Sequence, residues 1–151
     1  MTTSEGPILL DTNILVYAAD EISPFYRQCR KFRERGQSGE LSLCVAPQVL
    51  FEFYAVVTDP RRVAKALDPQ EAWQEVESYL NDTTIRKIYP GMDIAQNVLT
   101  FLKRYRAGRQ EVFDLVIVAT MLSNSVQKIC TYNQSHFSRY QEIQPLLPDE
   151  N

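Results

Sequence analysis

Three carboxylates of this chain each interrupt a run of apolar residues. Asp11 directly follows residues 8–10, which are all aliphatic. Glu52 lies among phenylalanines and valines, and Asp114 precedes the aliphatic residues 115–119. An ionised carboxylate in such surroundings costs several kcal/mol unless a partner compensates it. Because none of the three runs contains a cationic side chain, the shared partner we expect is a hard divalent cation such as Mg²⁺ or Mn²⁺.

Each acid also has to be weighed against a structural role. Asp is a common helix N-cap, so Asp11 by itself fits the start of a helix. Asp114 by itself fits the first turn of a helix, where the macrodipole favours negative charge. Glu52 has no such explanation, because phenylalanines flank it inside a predicted helix. Jointly the three acids favour a metal site, although sequence spacing does not establish that they meet in space.

The composition is that of an ordinary globular protein, and the length of 151 residues predicts one domain spanning 1–151. The apolar runs are far shorter than the roughly 20 residues of a membrane span. The N-terminus does not resemble a signal peptide. The three cysteines show no CxxC spacing, which predicts reduced thiols in a cytoplasmic protein with no membrane association.

The net charge of −3 argues against nonspecific coating of nucleic acid but leaves local contacts open. Basic side chains cluster in three segments, around residues 27–35, 61–65 and 103–109. Such a run is usually a solvated helix face. The third segment lies just before Asp114, and we therefore take Arg109 as the candidate for a substrate phosphate contact.

Strand-length apolar runs alternate with stretches of helical period, which predicts an α/β domain with a mostly parallel sheet. Strands are predicted at residues 7–10, 41–45, 85–89 and 128–132, with a weak fifth strand at 142–144. The helices are predicted to begin at Thr12, at Pro24 after an N-cap at Ser23, at Pro47, at Pro69 in a capping box, near Ile94 with an end at Gly108, and at Val112.

Ligands in open α/β sheets bind beyond the carboxyl ends of the strands, and Asp11 is predicted to lie at that edge. Glu52 and Asp114 reach it only if their helices face it. Thr131 and Asn133 follow the fourth predicted strand, where they could hold a metal-bound water or a phosphate, or form a polar turn. His136, the one histidine, lies beside a phenylalanine. A histidine in such a place is more often a packing or capping residue than a catalytic one.

Taken together, the segments around these residues resemble PIN-domain ribonucleases of the VapC type, the toxin half of bacterial and archaeal toxin–antitoxin pairs. Each motif is short, but their order and separations match over nearly the whole chain. The segments that carry the resemblance are residues 10–15, 47–54, 112–120 and 131–137.

The resemblance implies a Rossmann-like, three-layer PIN domain of the α/β class, with a central parallel sheet flanked by helices. It also implies a Mg²⁺ or Mn²⁺ site and hydrolysis of RNA phosphodiester bonds. It carries the family's first three acids onto Asp11, Glu52 and Asp114. Many members have a fourth Asp where this chain has Asn133, which leaves a second metal open. Glu111 could substitute, although a Glu in a first helical turn more often complements the dipole.

We therefore predict a metal-dependent endoribonuclease, the toxin of a type II toxin–antitoxin system. Its metal ligands and catalytic residues are predicted to be the three acids, with Asn13, Thr131 and Asn133 orienting acid, water or phosphate. The resemblance further implies an RNA substrate, a small antitoxin partner and a homodimer.

Three alternatives stay open at this point. The first is a PIN-like RNA-binding or assembly protein with weak or no catalysis. The second is a phosphatase of the haloacid-dehalogenase type, which requires an Asp where this chain has Asn13. The third is a structure-specific DNA nuclease, for which the chain is short.

Overall fold

The computed structural model describes residues 6–150 and contains a five-stranded parallel sheet flanked by helices, in a three-layer arrangement. The strand order across the sheet is β3-β2-β1-β4-β5. The predicted Rossmann-like α/β fold is therefore confirmed. The strands are β1 (Ile8–Leu10), β2 (Leu43–Val45), β3 (Ile85–Lys87), β4 (Lys128–Cys130) and β5 (Gln144–Leu146).

Strand β1 occupies the centre of the sheet and pairs with β2 on one side and β4 on the other. All three of its side chains are buried, as expected for a central parallel strand covered on both faces. Its last residue, Leu10, lies opposite Cys130 of β4. This register places the residues that follow the two strands, Asp11 and Thr131, side by side at the carboxyl edge of the sheet.

Helices connect the parallel strands, as crossover connections in such a sheet require. Helix α1 packs on α2 and α3, whereas α5 packs on α6. The helices are α1 (Thr12–Ala18), α2 (Tyr26–Gln37), α3 (Pro47–Val57), α4 (Pro69–Leu80), α5 (Ile94–Tyr105), α6 (Glu111–Ser123) and α7 (Gln134–Phe137), with a short 3₁₀ helix at Pro148–Glu150.

Most predicted elements are confirmed, but three local predictions are wrong. Helix α2 does not begin at Ser23 and Pro24, because the Ser23 hydroxyl accepts from the Phe25 N–H at 3.1 Å within a turn. Helix α5 ends before Gly108, since Arg106 takes the left-handed conformation with φ of 50°. The fifth strand lies at Gln144–Leu146, two residues later than predicted.

The three cysteines form no disulfide within the described residues and are fully buried, in agreement with a structural role. Burial raises the pKa of the Cys29 thiol to about 11 and that of the Cys44 thiol to about 12, so both are protonated at neutral pH. None of the helices within residues 6–150 has the length and the apolar character needed to cross a bilayer.

Candidate active site

The three acids line one pocket at the carboxyl edge of the sheet, with a volume of about 450 Å³. Asp11 comes directly after β1 and is the N-cap of α1. Glu52 projects from the middle of α3, and Asp114 lies in the first turn of α6. The structure therefore brings the three acids to one pocket, although Asp11 and Asp114 are more than 100 positions apart in the sequence. Their chemical roles remain predictions.

Asp11 is held by three donors and is only 5% exposed. Its Oδ1 accepts from the backbone N–H of Thr12 at 2.8 Å. Its Oδ2 accepts from the Thr131 hydroxyl at 2.7 Å and from Asn13 Nδ2 at 3.3 Å. Asp11 is therefore compatible with both roles considered from the sequence, the helix N-cap and the metal ligand, because the capping carboxylate also lines the pocket.

The hydrogen-bond pattern determines which way the Thr131 hydroxyl points. Its oxygen accepts from the Asn133 N–H at 2.9 Å and from Asn13 Nδ2 at 3.3 Å. Because both lone pairs are then occupied, the hydroxyl proton is directed to Asp11. Asn13 Oδ1 in turn accepts from the Tyr132 N–H at 3.1 Å. Asn13 and Thr131 therefore orient Asp11, whereas the exposed Asn133 side chain lies at the pocket wall.

Glu52 is tied to α1 and α6 by residues that the sequence did not single out for chemistry. Its Oε2 accepts from the Thr12 hydroxyl at 3.0 Å, and its Oε1 accepts from Gln48 Nε2 at 3.0 Å. Gln48 Nε2 also donates to the backbone carbonyl of Phe113 at 3.1 Å, next to Asp114. The signal for Gln48 was its position four residues before Glu52, on the same face of α3.

Asp114 is half-buried, and none of the hydrogen bonds or ion pairs found in the described chain involves its side chain. Burial raises its pKa, and the charges of Asp11 and Glu52 raise it further, whereas His136 opposes the shift. Burial also raises the pKa of Asp11, against the hydrogen bonds from Thr131 and Thr12. In both acids the main cause is burial, which penalises the charged form of the carboxylate.

The donor chemistry of the pocket fits a hard divalent cation, because all three side chains offer carboxylate oxygens. No ion pair observed within residues 6–150 joins any of the three acids to a Lys or Arg. Across the same part of the chain, no group of three Asp, Glu, His or Cys side chains is arranged as a complete metal site. Ligation by all three acids would therefore require side-chain movement towards the pocket centre.

A second groove of about 550 Å³ shares Glu52 and Asp114 with the pocket and is also lined by His136 and Arg139. His136 is exposed there, so it is not a packed core residue. Glu111 accepts from the Gly108 N–H at 3.1 Å and forms an ion pair with Arg139. The Glu111 carboxylate is thus already engaged, which argues against it as a fourth metal ligand.

Arg109 is exposed in the turn before α6 and lines neither the pocket nor the adjoining groove. Its predicted phosphate contact thus gains no support from its position. Arg62 lines the pocket instead. The sequence indicated Arg62 only as part of a basic segment, because nothing local shows that the loop after α3 turns back over the acids.

Comparisons with known proteins agree with this architecture. The family model described as PIN domain matches residues 8–143. Ribonuclease VapC43 of Mycobacterium tuberculosis is 31% identical to the chain over 84 residues, which cover 56% of this chain and 57% of that protein. The matched region is thus less than two thirds of that relative's length.

Two solved structures extend the likeness in fold. The crystal structure of Mycobacterium tuberculosis VapC20, a Sarcin-Ricin loop cleaving toxin, has a TM-score of 0.66 at 14% identity and covers 88% of this chain and 95% of its own. A toxin–antitoxin complex from Klebsiella pneumoniae has a TM-score of 0.60 at 18% identity and covers 93% and 97%. The resemblance noted from the sequence motifs is confirmed.

Proposed function

The chain belongs to the PIN domain family, and on that basis we propose that it is a metal-dependent endoribonuclease, the toxin of a type II toxin–antitoxin pair. The observation that carries the proposal is the convergence of Asp11, Glu52 and Asp114 in one pocket at the carboxyl edge of the sheet. The relatives named VapC ribonucleases support the same substrate class.

We propose Mg²⁺ or Mn²⁺ as the cofactor, with the three acids as its ligands. When bound, such a cation supplies a water of lowered pKa and offsets the negative charge that develops on the phosphate. Asp11 contributes a carboxylate whose orientation is set by Thr131 and Asn13. Oriented ligands matter because partners of this kind change metal affinity or activity by roughly 10- to 100-fold.

The other two acids contribute differently to the proposed reaction. Glu52 is held between α1 and α6 through Thr12 and Gln48, so its position depends on how these helices pack. No hydrogen bond within residues 6–150 fixes the Asp114 side chain, so it can adjust to a metal and to the substrate. The exposed Asn133 side chain lies where it could donate a hydrogen bond to a substrate phosphate or to a metal-bound water.

A small antitoxin is the protein partner we propose. Within the described residues, no Lys or Arg forms an ion pair with the three acids. The pocket would therefore accept a basic side chain of such a partner. The likeness to a toxin–antitoxin complex from Klebsiella pneumoniae supports this, although it extends to the fold alone. The homodimer and the cytoplasmic location remain predictions.

A second candidate function is RNA binding with weak or no catalysis. It is favoured by Asn133, an amide where the family resemblance leads one to expect a fourth acid. The two functions share the pocket but differ in whether the bound RNA is cut, so the same experiment separates them.

The test is cleavage of total cellular RNA by the purified protein, free of antitoxin, with Mn²⁺ or Mg²⁺ and with chelator. Asp11→Asn and Asp114→Asn are assayed alongside, and circular dichroism checks that both are folded. Glu77→Gln is the matched control, because Glu77 is an exposed acid on α4.

We expect discrete fragments with wild type and Glu77→Gln, and none with chelator or with either Asp variant. RNA binding and metal binding without cleavage would favour the second candidate. Retained cleavage in Asp11→Asn would exclude the proposed site.

A further inference from the structure

One basic residue, Arg62, is among the described residues that line the acidic pocket. An RNA strand carries a negative charge at every phosphate, so three carboxylates repel it as it approaches. A metal ion compensates this repulsion at the scissile phosphate alone. The neighbouring phosphate needs a separate cationic contact, and Arg62 is the side chain placed to provide it.

The loop that follows α3 separates the roles of two adjacent arginines. The Arg61 guanidinium binds Asp59 through two hydrogen bonds of 3.1 Å, one to each carboxylate oxygen. The Arg61 N–H also donates to Asp59 at 2.9 Å. The backbone N–H of Arg62 donates to the Asp59 carbonyl at 2.9 Å, which continues the turn. Asp59 thus hydrogen-bonds the Arg61 guanidinium with both oxygens, whereas it interacts with the Arg62 side chain through charge alone.

The Arg62 guanidinium takes part in none of the ion pairs or side-chain hydrogen bonds found within residues 6–150. Two arginines of the other basic segments are already engaged: Arg35 pairs with Glu40 and Arg104 pairs with Glu142. Arg139, in the adjoining groove, pairs with Glu111. Among the described residues, Arg62 therefore lines the pocket and has no ion pair that a phosphate would have to displace.

The two cavities on either side of the acids define a path for a strand. Glu52 and Asp114 line both the pocket and the adjoining groove, so they stand between the two. His136 and Arg139 lie in the groove, and Arg62 lies in the pocket. A strand that crosses the acids would place one flanking phosphate on the Arg62 side.

We propose that Arg62 binds a backbone phosphate next to the scissile one and so positions RNA across the carboxylates. This inference rests on the proposed function and assigns to Arg62 the contact that the sequence assigned to Arg109. A guanidinium suits the role because its planar donors match two phosphate oxygens at once. Arg62 is a positioning residue, since its partner is not at the reacting atom.

The first arm of the test measures RNA binding and needs no cleavage. A fluorescein-labelled single-stranded RNA of mixed sequence, about 12 nucleotides long, is titrated in chelator and followed by fluorescence anisotropy. Wild type is compared with Arg62→Ala, Arg62→Lys and the matched control Arg61→Ala. We expect Arg62→Ala to weaken binding by roughly five- to tenfold. The slope of log affinity against log salt concentration should fall by about 1, as expected for the loss of one phosphate contact.

Arg62→Lys keeps the charge but loses the paired donors, so its affinity should fall between those of wild type and Arg62→Ala. Arg61→Ala should bind like wild type. Equal losses in Arg61→Ala and Arg62→Ala would overturn the inference, because they would show general charge attraction. No binding by wild type, or no change in Arg62→Ala, would overturn it as well.

The second arm measures cleavage with Mn²⁺. Arg62→Ala should raise KM by roughly the factor seen in binding, about five- to tenfold, and leave kcat largely unchanged. A fall in kcat at unchanged KM would contradict a positioning role. If wild type binds RNA but cleaves nothing, the proposed function fails, whereas the binding arm still decides the role of Arg62.

Discussion

The pocket consists of two halves that are built differently. At the sheet edge, Asp11 is buried and its two oxygens receive three hydrogen bonds from neighbouring elements. At the helix side, Asp114 is half-buried and none of the hydrogen bonds found in the described chain reaches it. Glu52 is intermediate, with one donor to each carboxylate oxygen.

The difference shows how one pocket can combine a preorganised ligand with an adjustable one. The donors around Asp11 offset part of the free-energy cost of burying its charge and fix its orientation. Asp114 has no such donors among the described residues, and its pKa is raised by burial and by the nearby carboxylates, which His136 offsets only in part. Because the pKa of both acids is raised, each charge is a liability for folding without metal, but only Asp11 also holds hydrogen bonds that a substitution would break. The following predictions test this contrast.

The largest expected effect is a difference in stability between Asp11→Asn and Asp114→Asn. In Asp11→Asn the new amide directs an N–H at either the Thr131 hydroxyl or the Thr12 N–H, because every neighbour of Asp11 is a donor. We expect the free energy of unfolding to fall by about 1–3 kcal/mol. Asp114→Asn relieves repulsion and breaks no hydrogen bond, so its stability should stay within about 0.5 kcal/mol of wild type or rise slightly.

Urea unfolding in chelator, followed by circular dichroism, measures both values. Chelator is essential, because a bound cation would stabilise wild type selectively and mask the difference. A larger destabilisation in Asp114→Asn than in Asp11→Asn would contradict the contrast between the two halves.

A smaller effect is expected when a donor is removed and the acid is left in place. Thr131→Val removes the proton donated to Asp11 and the acceptor of the Asn133 N–H. We expect a loss of about 0.5–1.5 kcal/mol in stability and a roughly 10- to 100-fold weaker affinity for Mn²⁺. Calorimetric titration with Mn²⁺ measures the second quantity.

Thr120→Val is the matched control for this substitution. Thr120 is also buried, but its hydroxyl donates to the Val116 carbonyl within its own helix, away from the acids. We expect Mn²⁺ affinity equal to that of wild type. Equal losses of affinity in the two variants would show that the Thr131 contact has no special role in orienting Asp11.

The smallest effect is expected from adding charge at the pocket wall. Asn133→Asp places a fourth carboxylate there, while the backbone N–H of residue 133 can still donate to Thr131. Because cation affinity grows with the number of charged ligands, Mn²⁺ should bind several-fold more tightly in the same titration. Unchanged affinity would place the residue-133 side chain outside the reach of the metal.

Much of the fold followed from local patterns of the chain. The apolar run before Asp11 predicted a buried central strand, and β1 is that strand. Pro47 predicted the start of α3. The capping box was also correct: Asp68 accepts from the Glu71 N–H and Glu71 accepts from the Asp68 N–H. These predictions succeeded because they depend on residues within one or two turns of each other.

Other features of the site could not be predicted in the same way. Arg109 was predicted to contact a phosphate because it is close to Asp114 along the chain. The structure places Arg62 at the pocket and Arg109 outside it, because the loop after α3 folds back towards α1. Ser23 was taken as a helix cap, but its hydroxyl serves a turn three residues before α2. The Ser23 prediction is wrong because its side chain has several local options and tertiary packing selects one, whereas the role of Arg109 stays a prediction that its position does not support.

By itself, the sequence determined the residue types, the α/β alternation and the position of Asp11 at the end of a strand. Those properties come from short-range periodicity and from the high cost of burying unpaired charge. Only the tertiary structure decided that Thr131, 120 positions away, donates to Asp11, and that α3 and α6 turn their acids to the same pocket. The physical reason is strand register: the pairing of Leu10 with Cys130 sets the residues after β1 and β4 side by side, and no local pattern encodes that pairing.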